Sequence, residues 1–116
     1  MAEPNLNEAV VAVAPTSTTL GGPFTVTSQF YNDTILLRIT NSDGSQSLDA
    51  WVEVSWTGGT IYDKWQDNYF MGIPAGECRQ KEVNIGSNPV FRVQGTASGA
   101  GLNCKISVKR VVQANR

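Results

Sequence analysis

The chain has 116 residues, of which 41% are hydrophobic and 16% charged, and its nine basic and ten acidic side chains give a net charge of −1. This length suits one domain with one core. The balanced charge excludes the broad basic surface that a duplex-binding protein needs. Histidine is absent, so neither a Ser-His-Asp nor a Cys-His catalytic arrangement can form. We therefore predict that the protein is not an enzyme and binds no nucleic acid.

Residues 1–23 predict an extended N-terminal arm, because they are rich in Pro, Thr, Ser and Gly and end at a Gly-Gly-Pro breaker. Residues 9–13 (AVVAV) are apolar and β-prone. Such a segment can add to an exposed sheet edge, in its own domain or in a neighbour. The apolar run is too short to cross a membrane, and the first ten residues lack the basic start of a secretory signal. We expect a contact between subunits in this arm, made by Leu6, Ala9, Val10, Val11 and Val13.

Short strands separated by turns follow the arm. Residues 34–40 alternate with Ile35, Leu37 and Ile39 on one face, which predicts a half-buried strand. Residues 51–56 alternate as well, and this pattern places Trp56 in the core with Trp51 pointing outward. The turn between them contains Asp-Gly at residues 43–44, which predicts a type I′ hairpin.

The second half of the chain repeats the pattern. Residues 79–85, 90–97 and 104–112 alternate, and the Gly-rich segment 98–103 predicts a hairpin tip between the last two strands. Seven or eight strands with turns about every 8–12 residues predict an all-β antiparallel β-sandwich, immunoglobulin-like or jelly-roll-like. We divide the chain into the arm (1–23), the sandwich (24–112) and a C-terminal tail (113–116).

Aromatic residues are concentrated between residues 51 and 70. Outward aromatics on a sandwich can anchor a protein interface or stack on sugar rings; alternatively, the loop at 61–70 folds over and buries them. We predict a second partner contact at this loop. A carbohydrate-binding module that stacks sugars on Trp51 or Trp65 is the alternative. The predicted contact residues are Tyr62, Trp65, Tyr69 and Phe70.

Clustered acids offer two weaker candidates. Asp63 and Asp67 flank a tryptophan, as the carboxylates of a glycosidase flank a sugar. Asn41, Asp43 and Asp49 carry oxygens that calcium prefers. Solvated loop acids and turn chemistry account better for both sets. We predict no catalytic residue, no metal site and no cofactor.

Two cysteines, Cys78 and Cys104, lie in separate predicted strands. In an oxidising compartment a bridge between them would close a loop of about 27 residues and add ~3 kcal/mol of stability. In a reducing cytosol they would be free thiols, and the sequence leaves both states open. Two cysteines without histidine are too few for a zinc site.

Two segments, residues 72–77 (GIPAGE) and 88–111 (NPVFRVQGTASGAGLNCKISVKRV), resemble the small β-sandwich decoration (cement) proteins of tailed bacteriophages. The shared features are a Pro-Ala-Gly turn before a strand and a closing Gly-rich hairpin, in a chain with an extended arm. The resemblance implies a virion protein that is made in the host cytoplasm. It also implies binding at junctions between subunits of the major capsid protein, often as a trimer, and stabilisation of the shell. It carries over no catalytic residue and does not explain the two cysteines.

We therefore expect a capsid decoration protein that forms homo-oligomers and acts through its arm and aromatic loop. Deletion of residues 1–23 should then abolish assembly and leave the sandwich folded. The alternative is an extracellular, lectin-like module that binds glycans through exposed Trp and Tyr.

Overall fold

The computed structural model describes residues 5–25, 33–65, 69–86 and 90–111. These residues form eight β-strands and no helix. The strands are β1 (Asn5–Val13), β2 (Thr18–Thr25), β3 (Asp33–Asn41), β4 (Leu48–Ser55), β5 (Asp63–Lys64), β6 (Cys78–Gly86), β7 (Val90–Ala97) and β8 (Leu102–Val111). The all-β prediction is confirmed.

The strands form two four-stranded antiparallel sheets. Sheet A has the order β1-β8-β3-β6 and sheet B the order β2-β7-β4-β5. Within the described strands, β4 and β5 are the one consecutive pair that shares hydrogen bonds, and every other connection crosses between the sheets. This alternation is the jelly-roll arrangement of two Greek keys. The structure thus confirms the predicted sandwich and selects the jelly roll over the immunoglobulin-like order.

The core lies between the inner faces of the two sheets. Strand β3 contributes Ile35, Leu37 and Ile39, as the alternation predicts. Each such side chain stabilises the fold by about 1.5–3 kcal/mol before the entropy of ordering is subtracted. The other large buried side chains are Leu48, Phe70, Ile73, Ile85, Phe91, Val93, Leu102, Ile106 and Val108.

Most of the predicted arm belongs to the sandwich. Strand β1 pairs with β8 from Asn5 opposite Lys109 to Val13 opposite Leu102. Strand β2 runs through residue 23, so no structural boundary lies there. Residues 9–13 can pair with a sheet edge in their own domain or in a neighbouring subunit. In the described structure they pair with β8 of their own sheet. The reason is the alternation within β1, which turns Val11 and Val13 toward the core. Deletion of residues 1–23 would consequently remove one strand and most of another.

The two predicted hairpins are wrong, because the strands that flank each turn lie in different sheets. The first turn joins β3 of sheet A to β4 of sheet B, and the second joins β7 of sheet B to β8 of sheet A. In the first, Asp43 accepts hydrogen bonds from the backbone N–H groups of Ser45 (2.8 Å) and Gln46 (3.0 Å). These bonds, that from Ser45 foremost, hold the pKa of Asp43 below its usual value. An Asp-Gly pair fixes a tight turn without fixing which strands pair across it.

The prediction that Trp56 is a core residue is also wrong. Strand β4 ends at Ser55, and Trp56 is 73% exposed. The buried Ser55 hydroxyl accepts a hydrogen bond from the backbone N–H of Gly59 (2.9 Å), which turns the chain away from the sheet. The alternation of β4 therefore stops one residue before Trp56. Trp51, within the strand, is half-buried on the outer face, as predicted.

Candidate assembly edge and outer faces

The four sheet edges differ in how well they resist pairing with another strand. An edge strand exposes unpaired backbone groups, and proteins blunt such edges with charges, proline, bulges or short length. Strand β5 has only two residues, and β2 contains Gly22 and Pro23 and shifts its register with β7 twice. Strand β6 carries Arg79, Lys81 and Glu82. These three edges are all protected.

Strand β1 has none of these protections along most of its length. It is nine residues long, contains no proline, and has Glu8 as its one charged residue. Its register with β8 shifts only at its start, between Asn5 and Asn7. The run from Ala9 to Val13 is regular and apolar. In the described sandwich, β1 is thus the edge that is best suited to accept a further strand.

The predicted contact residues of β1 take different places. Val10 is 69% exposed on the outer face, whereas Val13 is only 2% exposed. Ala9 and Val11 are half-buried and pack against the core. The backbone of Leu6 lies in β1, and its side chain is outside the described part of the structure. The side chain of Val10 on the outer face is therefore accessible to a partner, whereas the inward side chains of β1 pack against the core and hold the strand in the sandwich.

The predicted aromatic contact does not form one surface. Phe70 is buried in the core, and Trp65 packs against the core while its Nε1 donates to the carbonyl of Asn84 (2.6 Å). Tyr69 is 43% exposed and meets the ring of Phe70 edge-on. The half-buried Tyr62 precedes β5, and its ring contacts the guanidinium of Arg92 on sheet B. A cluster of aromatic residues in a sequence is equally consistent with burial and with exposure. The sequence therefore could not separate the buried aromatic residues from the exposed ones.

Cations cover the aromatic rings on the outer face of sheet B. The Arg92 guanidinium lies 3.7 Å from the centroid of the Tyr62 ring and pairs with Glu53 at 2.7 Å. The Lys64 ammonium lies 5.4 Å from the Trp51 ring, whose Nε1 donates to Glu53. These side chains hold one another in place. The described outer face of sheet B thus lacks an open row of aromatics on which sugars could stack.

The outer face of sheet A contains an open depression of about 640 Å³. The strand register places Lys105 of β8 between Val10 of β1 and Thr40 of β3. Alternation in the sequence predicts that Lys105 and Lys109 point outward, but it could not reveal that β3 is the neighbour of β8. The described lining residues are Ala9, Val10, Leu36, Arg38, Thr40, Gln80, Lys105, Ile106, Ser107 and Lys109.

The structure holds both cysteines as free thiols. Strand β3 lies between β6 and β8, with Thr40 opposite Cys78 and Asn41 opposite Cys104. Two strand spacings, about 10 Å, exceed the Cα separation of about 7 Å that a disulfide tolerates. Cys78 is exposed, whereas Cys104 is buried. An intrachain bridge is therefore excluded.

The two thiols differ in acidity. Burial raises the pKa of Cys104 to about 11. At Cys78, partial burial opposes ionisation, but hydrogen bonds from Thr40 and Arg38, together with the Arg38 charge, outweigh it and lower the pKa. The Nε of Arg38 lies 3.1 Å from the Cys78 sulfur. Cys78 is therefore the reactive thiol of the pair.

The candidate calcium-binding and catalytic acids have structural roles or are exposed to solvent. The side-chain amide of Asn41 donates to the carbonyls of Gln46 and Ile73, and Asp49 accepts from the backbone N–H of Gly72 (2.6 Å). Asp63 is exposed in β5, and Asp67 lies outside the described residues, as does the tail at 113–116. The described residues contain no group of three or more His, Cys, Asp or Glu that could hold a metal ion. They also contain no helix suited to crossing a membrane.

Comparisons with known proteins do not assign a family. No family model matches the chain, and no curated protein matches it. Among solved structures, the chain is similar to part of a chain in the structure of the infectious bursal disease virus Gx strain, with a TM-score of 0.48 and 14% sequence identity. The alignment covers 97% of this chain and 30% of that chain.

Proposed function

We propose that this chain is a non-enzymatic structural protein of a virus particle, which binds neighbouring subunits by strand addition at β1. The jelly roll is an architecture of viral capsid and lectin domains, so the fold alone leaves both classes open. The observation that carries the proposal is the nine-residue, nearly uncharged β1 edge beside three protected edges. More specifically, the proposed protein decorates a capsid by binding at the junctions between subunits of the shell.

Strand addition at a single β1 edge yields a weak contact. Each backbone hydrogen bond contributes about 0.5–1.5 kcal/mol net, and burial of the exposed Val10 adds about 1–2 kcal/mol. Association costs at least about 4 kcal/mol. A single β1 contact is therefore weak, and firm attachment needs several copies that bind together. A decoration protein on a repetitive shell gains affinity in this way.

The partner determines the symmetry of the assembly. Pairing of two β1 strands in antiparallel orientation gives a twofold dimer, because both copies use the same surface. The trimer that the decoration proteins suggest requires β1 to pair with a different surface, on another copy or on the major capsid protein. The oligomeric mass distinguishes these arrangements.

The test adds a charge to each edge of sheet A in turn. Val10→Lys places a lysine on β1, and Gln80→Lys places one on β6, the opposite edge of the same sheet. We expect light scattering over a concentration series to detect oligomers of the unmodified chain and of Gln80→Lys, and monomers of Val10→Lys. Equal masses for all three proteins would contradict assembly through β1. Circular dichroism should show the same β-sheet signal for all three.

Carbohydrate binding is the second candidate, and the exposure of Trp56 favours it. Trp56 and Ile61 are 73% and 57% exposed in the loop after β4. A glycan that binds there should quench tryptophan fluorescence in the unmodified chain and not in Trp56→Ala. Unchanged fluorescence across an array of polysaccharides would remove this candidate.

A further inference from the structure

The depression on the outer face of sheet A is basic. Three of its described lining residues, Arg38, Lys105 and Lys109, carry positive charge, and none of them carries negative charge. The protein as a whole has a net charge of −1. The described lining of the depression is therefore locally basic, in a protein whose charges nearly balance.

The two lysines of the depression have no structural partner in the described part of the chain, unlike the arginines elsewhere. Arg79 donates to the backbone carbonyls of residues 69, 71 and 72, and Arg92 pairs with Glu53. The side-chain ammonium groups of Lys105 and Lys109 make no hydrogen bond or ion pair among the described residues. Unpaired cations on a concave surface attract acidic groups.

The depression begins at the proposed assembly edge. Val10 lines it and stands opposite Lys105, and the next outward residue of β1 is the small, exposed Ala12. A strand added to β1 lies about 10 Å from β8, which is two strand spacings. A lysine and a glutamate that extend toward each other across β1 span this distance.

We propose that the segment that adds to β1 is acidic, and that its carboxylates reach into the depression and pair with Lys105 and Lys109. This inference rests on the proposed function. Side chains alternate along a strand, so acids on alternate residues share one face. Lys105 and Lys109 are four residues apart, which is about 13–14 Å along β8. The matching partner sequence is therefore an extended polypeptide with two acids four residues apart, on the face that continues the outer face of sheet A.

The test uses two nine-residue peptides of alternating Thr and Val. One carries glutamate at its third and seventh positions, and the other carries glutamine there. Fluorescence anisotropy of the labelled peptides measures binding to the full chain, to a Lys105→Gln, Lys109→Gln double variant and to Lys64→Gln. Lys64 is a lysine of sheet B and serves as the matched control.

At low ionic strength we expect the glutamate peptide to bind about tenfold more tightly than the glutamine peptide. The double variant should lose this preference and Lys64→Gln should keep it. Added salt should weaken the preference, because these charges are exposed.

Three results would overturn the inference, and each leaves the proposed function separately testable. Equal binding of both peptides, abolished by Val10→Lys, would support strand addition and refute the acidic partner. Absence of binding by either peptide, in a chain whose self-association still depends on Val10, would refute the acidic partner alone. Lysine-dependent binding of heparin without binding of the glutamate peptide would assign the depression to an anionic glycan instead.

Discussion

The two edge strands of sheet A, β1 and β6, differ in how well their side chains protect them against pairing with a further strand. Strands β1 and β6 are both nine residues long and both pair on one side only among the described strands. Strand β6 alternates buried Val83 and Ile85 with charged or polar residues, whereas β1 is apolar from residue 9 onward. The side chains of an edge strand, rather than its length, therefore decide whether another strand can pair with it.

The side chains of β6 are also engaged within the molecule. The Arg79 guanidinium donates to the carbonyls of Tyr69, Met71 and Gly72 at 2.8–3.1 Å. The Lys81 ammonium lies 5.3 Å from the centroid of the Tyr69 ring. These contacts fasten the loop before β6 to the sheet edge. The described contacts of β1, by comparison, join it to β8, to the core and to the neighbouring β2 and β7.

Removal of β1 should have the largest effect. Deletion of residues 1–13 removes the contacts of Val11 and Val13 with the core and exposes the backbone edge of β8. We expect a loss comparable to the whole stability of a small domain, about 5–15 kcal/mol. Thermal unfolding followed by circular dichroism measures it. Val10→Lys changes only the outward side and should stay within about 0.5 kcal/mol of the unmodified chain. A cooperative transition in the truncated chain would show that β1 is dispensable for folding.

Loss of the Arg79 side chain should have an intermediate effect. Arg79→Ala leaves three backbone carbonyls without their charged donor. Hydrogen bonds to a charged group contribute about 1.5–3 kcal/mol, and we expect the free energy of unfolding to fall by that amount. Gln80→Ala, at the exposed neighbouring position, should cost less than about 0.5 kcal/mol. Similar urea midpoints for the two variants would mean that β6 does not anchor the loop.

Replacement of a thiol should have the smallest effect on stability. The reactivity of the two thiols tests whether Cys78 of β6 is exposed and Cys104 of β8 is buried. At pH 8 we expect a thiol reagent to modify Cys78 quickly and Cys104 only after unfolding, because their pKa values are shifted in opposite directions. The rate at Cys78 should rise with pH through a pKa below the usual value for cysteine. Cys78→Ser should abolish the fast reaction and change stability by less than about 0.5 kcal/mol. Two equally fast thiols in the native protein would contradict the structure.

The sequence predicts the local elements of this fold better than their partners. Alternation correctly places Ile35, Leu37 and Ile39 inside, because a strand with one buried face must alternate. It fails at Trp56, where the chain leaves the sheet. It also misassigns the turn at residues 43–44, since the strands on either side belong to different sheets. Strand pairing in a jelly roll depends on residues far apart in the chain, which no local pattern reports.

The candidate site was predictable to a similar degree. The composition of residues 9–13 marks a segment that is prone to strand addition, and the structure places it at an edge. The sequence could not show that this edge borders a basic depression, because Arg38 and Lys105 meet only when β3 and β8 pair. Nor could it show that most of the arm is part of the sandwich.

The central claim is that assembly occurs by strand addition at β1, and amide hydrogen exchange tests it most directly. The exchange of residues 5–13 and of residues 78–86 is measured in dilute and in concentrated protein. We predict that a higher protein concentration slows amide exchange in β1 and leaves exchange in β6 unchanged. The reason is that new intermolecular hydrogen bonds protect the amides along the free edge of β1. A rise in mass with concentration that leaves exchange in β1 unaltered would contradict the account.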